Sequence, residues 1–228
     1  MLSISYLVTC HNETQTLRNL LERLASLIDA DDEIVIIDDF SDNAETKAIL
    51  TEYGSKPNVH VHGHSLDRNY GAHKNYGASM CKSEWIFQLD GDELPSEILL
   101  INIKDIIEIN PDVEVYAVPR INDFKGVTPQ HAVVWGWKLS PCSACDNRPI
   151  VNWPDYQGRI YKNVKGRIRW DRRLHEKLEG HTKFVQLPAE YDMAIYHDKT
   201  IETQLNTNKR YNEWFSQEEN KGHTGWSK

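Results

Sequence analysis

Three groups of polar residues in the first hundred positions could act together on a charged ligand: Thr9-Cys10-His11-Asn12-Glu13, Asp38-Asp39-Phe40-Ser41-Asp42 and Gln88-Leu89-Asp90-Gly91-Asp92-Glu93. The third group is the sharpest. Two carboxylates separated by one glycine leave an apolar run together, and Gly91 permits a tight backbone path. Carboxylate oxygens suit a hard divalent cation, which can bridge to phosphate oxygens. The continuation Glu93-Leu94-Pro95 excludes a twelve-residue EF-hand loop. Taken singly, each acid is equally a helix cap or a turn residue. Three such groups at the carboxyl ends of strands in one open sheet would converge on one crevice.

The elements that must position them alternate between strand and helix. Residues 4–9 are β-prone. Leu17, Leu20, Leu21, Leu24, Leu27 and Ile28 form one apolar face at helical spacing, and Asn12 or Thr14 is placed to cap its start. Residues 33–38 form an apolar run bounded by acids, as in a strand buried on both faces of a parallel sheet. A helix over 43–53, a strand over 59–62, a small-residue helix over 71–82 and a strand over 85–89 come next. A further helix runs from Ser96 to Ile109 and stops at Asn110-Pro111. This alternation predicts an α/β fold with a mostly parallel sheet flanked by helices. Beyond Pro111 the texture changes. Strands are expected over 113–119 and 132–139, a hairpin over 160–168 around Val164-Lys165-Gly166, and an amphipathic helix over 200–215. The chain reads as a single domain in three parts: a nucleotide-type half at 1–110, a mixed half at 111–200, and a C-terminal helix and tail at 201–228.

Composition narrows the function. Apolar residues make up 39% and charged residues 26%, which excludes a mainly disordered chain. The net charge of −8 weighs against nucleic acid as a partner, because duplex affinity rests on phosphate neutralisation. The first residues lack a basic segment ahead of an apolar one, and no 18-residue apolar stretch occurs. The expectation is a cytoplasmic chain without a transmembrane segment, able to touch a membrane surface through Arg and Trp. Four cysteines make no disulfide framework in this length. Cys142 and Cys145 are expected as free thiols in a loop, since Cys10 and Cys81 lie on distant elements and do not complete a zinc set. His60, His62 and His64 alternate as one solvated strand face would. Trp135, Trp137, Trp153 and Trp170 accompany Arg148, Arg159, Arg167 and Arg169. Such a set suits a sugar or an anionic acceptor, and equally an ordinary core. Residues 122–130 and 140–152 are expected to be flaps that order on ligand binding.

The ordered set Thr9…Asn12-Glu13, Ile36-Ile37-Asp38-Asp39-x-Ser41, Gly71-Ala72-x-Lys74-Asn75-x-Gly77 and Leu89-Asp90-Gly91-Asp92-Glu93 resembles the family 2 glycosyltransferases of the GT-A fold. The later Pro154-Asp155-Tyr156-Gln157-x-Arg159-Ile160-Tyr161, Leu174-His175-Glu176, and His197 ahead of Lys209-Arg210-Tyr211 is similar to the lipopolysaccharide-core-type branch. The resemblance implies a metal-dependent inverting transfer of a hexose from a nucleotide-sugar, with a UDP-sugar favoured, to a glycan, lipid-linked or other hydroxyl acceptor. By the same resemblance Thr9, His11 and Glu13 border the base and ribose, Asp39 holds uracil or ribose, and Lys74 lies near the diphosphate. Asp90 and Gly91 belong to the donor site. Asp92, with Asp90 and the late His197, would hold Mn²⁺ or Mg²⁺.

An inverting transfer needs a carboxylate to take the acceptor's proton. Glu176 stands in that place, with His175 beside it and Asp155 and Asp171 behind. A nucleotidyltransferase shares such an α/β half, but carries a Gly-rich basic loop after the first strand. Cys10-His11-Asn12-Glu13 contains neither Gly nor Lys. A catalytically inactive fold that only binds a sugar or a partner is the other alternative. Intact Asp90, Asp92, Glu176 and His197 weigh against it.

Overall fold

The computed structural model describes residues 2–220. The alternation of the first half becomes β1 (Ile4–Cys10), α1 (Gln15–Leu27), β2 (Glu33–Asp38), α2 (Ala44–Gly54), β3 (Val59–Gly63), α3 (Tyr70–Met80) and β4 (Trp85–Asp90). Leu17, Leu20, Leu21 and Leu24 of α1 are fully buried, as their spacing requires. Thr14 is the first-turn cap position but makes no side-chain cap bond. Asn12 is not a cap either. Its side-chain Oδ1 accepts the Asp42 and Asn43 N–H groups and so ties the β1 end to the β2 end. Asn43 caps α2 through the N–H groups of Glu45 and Thr46.

The next elements are β5 (Glu93–Pro95), α4 (Glu97–Glu108), β6 (Val115–Val118), β7 (Arg120–Lys125), α5 (Pro129–Trp135), β8 (Leu139–Pro141), β9 (Pro149–Val151), β10 (Gln157–Lys162), β11 (Arg169–Asp171), β12 (Lys177–Glu179), β13 (Phe184–Gln186), β14 (Ile195–Thr200) and α6 (Ile201–Trp214). The main sheet has seven strands in the order β13-β6-β10-β4-β1-β2-β3. Strands β4, β1, β2 and β3 run parallel, and β10 is antiparallel to both β4 and β6. Thr9 stands opposite Asp90 and Cys10 opposite Asp38, so the three polar groups emerge side by side. A five-stranded sheet, β5-β14-β7-β9-β8, packs beside this edge. Its strands β7 and β14 are parallel partners, with His197 opposite Asn122.

The second half departs from the pattern expected of it. Residues 132–139 are not a strand: α5 forms instead, with Thr128 in a capping box, Pro129 at the first position and Gly136 left-handed after the end. The β-branched Val133 and Val134 suggested a strand, yet both are exposed. Residues 160–168 are not a hairpin. β10 is buried between β4 and β6, while β11 pairs with β12. The stretches expected as flaps contain parts of β7, α5, β8 and β9. A short 3-10 turn at Ser143–Cys145 brings Cys142 and Cys145 together as a disulfide, not free thiols. His60, His62 and His64 are half-buried, and the exposed positions are Val61 and Gly63 between them. The Trp and Arg residues do not form one cluster: Arg148 pairs with Asp123, Arg167 with Glu114, and Arg159 is buried. Residues 221–228 of the expected C-terminal tail lie outside the described residues.

Candidate active site

Two devices bring α3 close to the sheet and its loops. A methyl group on Gly77 would come within 2.6 Å of the Leu7 side chain, and one on Gly71 would collide with the Arg172 carbonyl. The small residues of the motif therefore let α3 lie low enough for Lys74 to enter the crevice, where it is buried. Asn75 exchanges two hydrogen bonds with the Trp170 backbone, at 2.8 and 2.9 Å. This clamp sets the Trp170 ring 4.7 Å from Lys74 Nζ. Lys74 donates to Glu176 Oε1 at 2.5 Å and lies 3.7 Å from Asp90 Oδ1. Glu176 arrives on a tight loop in which Arg172 and His175 both have positive φ, at 71° and 53°. His175 Nε2 is buried without a hydrogen-bond partner, and its ring stands edge-on to Tyr211.

Asp90 is saturated with partners. Its Oδ1 accepts from Thr9 Oγ1 and from Gln88 Nε2, each at 2.9 Å, and its Oδ2 accepts from Arg159 at 2.8 Å. Arg159 reaches inward because it is the extra residue of a β-bulge between Gly158 and Ile160. It also donates to Gln88 Oε1 and to the fully buried Glu93. Glu93 accepts the Asp90 N–H at 3.0 Å and a bond from Arg120 at 3.1 Å. Burial works to raise the Asp90 carboxyl, but Lys74 and Arg159 outweigh it and hold it well below the usual carboxylate range.

Asp92 has fewer partners. Its Oδ2 faces His197 Nε2 at 3.5 Å and Lys199 Nζ at 3.2 Å. His197 Nδ1 bonds Asn122 Oδ1 at 2.8 Å. The Asn122 amide NH₂ donates to Asp155 Oδ2 and the Val151 carbonyl. That leaves Oδ1 as an acceptor only, so His197 donates from Nδ1 and presents an unprotonated Nε2 to Asp92. Burial and then Lys199 push His197 down from its ordinary value, in favour of the neutral ring. Against the cost of burial, the His197 ring once it is charged, and Lys199, hold Asp92 below the usual carboxylate range. Asp155 also accepts two bonds from Arg120.

The crevice thus gathers Thr9, Glu13, Lys74, Asp90, Gly91, Asp92, Glu176 and His197, with Asp155 one residue removed behind Asn122. Glu13 lies under Gly91, where a methyl group would sit 3.2 Å from its Oε2. Burial, with Asp92 and Asp90 adding to it against the His11 N–H bond, pushes Glu13 up to about 7. His11 and Asp39 form the rim. His11 Nδ1 lies 2.8 Å from the Asp39 carbonyl, and Asp39 Oδ1 accepts the Leu66 N–H. Asp171 ends β11 and is half-buried. Sequence reasoning assigned no role to Arg120, Asn122 or Lys199. For Lys199 a signal existed, since His197-x-Lys199 on one strand places both on one face.

The sequence model of glycosyl transferase family 2 matches residues 5–194. No curated protein matches the sequence. Among solved structures, S. aureus TarS is similar with a TM-score of 0.58 and 17% identity, over 86% of this chain and 37% of that one. TarS 1–349 in complex with UDP-GlcNAc is similar with a TM-score of 0.57 and 17% identity, over 87% of this chain and 59% of that one. The chain therefore spans less than two thirds of either TarS chain. The likeness is in the GT-A arrangement of a large mixed sheet flanked by helices. No helix among the described residues is long and apolar enough to cross a membrane. With the family match covering most of its length, and with its strand-end acids, the Lys74 helix and the Asp90-Gly91-Asp92 turn gathered in one crevice, the chain belongs to glycosyl transferase family 2.

Proposed function

We propose that this chain moves a hexose from a UDP-sugar to a hydroxyl acceptor with inversion, using Mn²⁺ or Mg²⁺ held by Asp92 and His197 beside Asp90. The observation that carries this reading is the facing of Asp92 Oδ2 and His197 Nε2 across 3.5 Å. Two electron-pair donors turned toward each other fit a cation, and the Asn122 bond to Nδ1 is the outer support that metal-ligating histidines use. A cation there would supply positive charge to the departing diphosphate. The uridine choice is supported by the UDP-GlcNAc held by TarS 1–349.

Each remaining residue has a task in this reading. Thr9, His11, Glu13 and Asp39 border the base and ribose. Lys74 serves the diphosphate. When its ammonium turns to phosphate oxygens, it leaves Glu176, and that carboxylate takes the proton of the attacking hydroxyl. His175 shapes the loop that presents Glu176. Asp155 orients Asn122, and through it His197, instead of acting as a base. The acceptor segment around Asp155, Arg159 and Glu176 keeps the chain with the lipopolysaccharide-core-type branch in this reading.

Isothermal titration of UDP with and without Mn²⁺ tests the core of it. UDP is expected to bind with metal, and Asp92→Ala is expected to weaken that binding at least 100-fold. Absence of any nucleotide binding, with or without metal, would refute the transferase reading. Metal-dependent binding of GDP in place of UDP would overturn the uridine choice alone.

A further inference from the structure

A basic aromatic platform lies beside the loop that carries Glu176, where Tyr211 meets His175, and the donor-site reading leaves it unused. Tyr211 of α6 stands edge-on to Tyr70, with ring centres 6.0 Å apart. Burial pushes both phenols up from their ordinary value, and the nearby Glu176 charge adds to it. One helical turn further, Trp214 is half-buried. The guanidinium carbons of Arg68 and Arg210 lie 5.5 and 5.3 Å from its ring centre. Arg173, three residues before Glu176, lies 5.7 Å from the Phe215 ring and pairs with Glu219 at 3.7 Å.

Arg68 and Arg210 are exposed. Among the described residues, no carboxylate lies within 4.0 Å of either. Their chain neighbours Asp67 and Glu213 do not reach them at that distance. Two like charges held against one indole ring repel each other. In a chain of net charge −8, such a pair without a counter-ion is a place that an anion would complete. The chemistry around it is specific. Guanidinium forks match phosphate oxygens in pairs, and an indole face takes the C–H face of a sugar ring.

We infer that the acceptor carries a phosphate next to the sugar whose hydroxyl is glycosylated, with Arg68 and Arg210 holding the phosphate and Trp214 the ring. This rests on Glu176 being the base of the proposed transfer. The same arginine pair could otherwise serve the donor's diphosphate, and the test must separate the two sources.

The test tracks the Trp214 indole N–H by NMR in ¹⁵N-labelled protein saturated with UDP and Mg²⁺, with the resonance identified by Trp214→Phe. Glucose 6-phosphate and glucose are the probes. The expected result is a saturable shift with glucose 6-phosphate, at least tenfold tighter than with glucose. The double variant Arg68→Gln, Arg210→Gln should lose it while binding UDP within twofold of the wild type. Equal affinity for the two sugars, or a shift that persists in the double variant, would overturn the inference. So would a parallel loss of UDP affinity, which would give the arginines to the donor. If the wild type does not bind UDP at all, the donor reading fails. The same titration without UDP then still decides the platform.

Discussion

The two walls of the crevice are built in different ways. On one side Thr9, Asp39 and Asp90 lie at the ends of adjacent parallel strands, whose backbone register brings them side by side. On the other side Arg120, Asn122, Arg159, His197 and Lys199 project from strands of two sheets and are held through the carboxylates of Glu93, Asp155, Asp90 and Asp92, with His197 bonded directly to Asn122. The contrast meets in the Asp90-Gly91-Asp92 turn. Asp90 is bonded by Thr9, Gln88 and Arg159, while Asp92 faces one unprotonated nitrogen and one ammonium. A carboxylate whose lone pairs are engaged positions its neighbours, whereas one with open lone pairs can change partners. Asp90 is thereby built into the scaffold, and the proposed metal role falls to Asp92.

The largest effect is expected where the second wall is anchored. Arg159→Met leaves Glu93 fully buried with Arg120 as its one remaining cation. Removing one partner of a buried charge pair costs about 3–5 kcal/mol. Urea denaturation checks this, and a loss under about 1 kcal/mol would mean the network does not hold the two sheets together. The next effect separates the two carboxylates. Asp92→Asn should weaken Mn²⁺-dependent UDP binding at least 100-fold, about 2.7 kcal/mol, with an unchanged melting temperature. Asp90→Asn should lower the melting temperature, because it disturbs Thr9, Gln88, Arg159 and Lys74 at once. If both variants melt alike, the contrast between scaffold and ligand is wrong.

The first wall was legible in the sequence because its information is local. The run from Ile34 to Ile37 specifies a doubly buried parallel strand, and the residues after such a strand emerge at the sheet's carboxyl edge. The α3 motif was legible for a related reason, since Gly71 and Gly77 mark close approaches that no larger residue allows. The second wall was hidden because its information is tertiary. Arg159 points inward only through a bulge, and no periodicity announces that bulge. Asn122 fell in a stretch expected to be a loop, and its meaning depends on His197, 75 residues away. The stretch 132–139 expected as a strand begins instead within α5, because Thr128, Pro129 and Gly136 bound a helix there and Val133 and Val134 face solvent. Asp155 reads in the sequence as an alternative base, and its bonds to Arg120 and Asn122 are tertiary and leave no mark there.

A smaller effect probes the floor beneath both walls. Glu13 is raised from 4.5 to about 7, mainly by burial. Between those values the folded chain holds a proton that the unfolded chain has released, so stability falls as pH rises through that window. Glu13→Gln removes the burden. In protein stripped of metal it should be neutral near pH 4 and stabilising by roughly 2 kcal/mol at pH 8. Urea denaturation at the two pH values in EDTA decides it. A gain of equal size at both would place the titration elsewhere.

The smallest effect bears most directly on what Asp92 is for. Lys199 Nζ sits 3.2 Å from Asp92 Oδ2, on the same face of β14 as His197. An entering divalent ion meets this ammonium as a competitor for the same oxygen. Lys199→Met keeps much of the side chain's bulk and removes the charge, so Mn²⁺ alone should bind about tenfold tighter, about 1.4 kcal/mol, as read from free Mn²⁺ by electron paramagnetic resonance. The UDP complex should gain nothing, because a displaced ammonium beside a diphosphate offsets the competition it imposed on the bare ion. Tighter Mn²⁺ without tighter UDP would make Lys199 a cation that yields its place to the metal and then serves the phosphates. Weaker Mn²⁺ binding would mean that Lys199 supports the site in its resting form, and Asp92 would then be as much scaffold as Asp90.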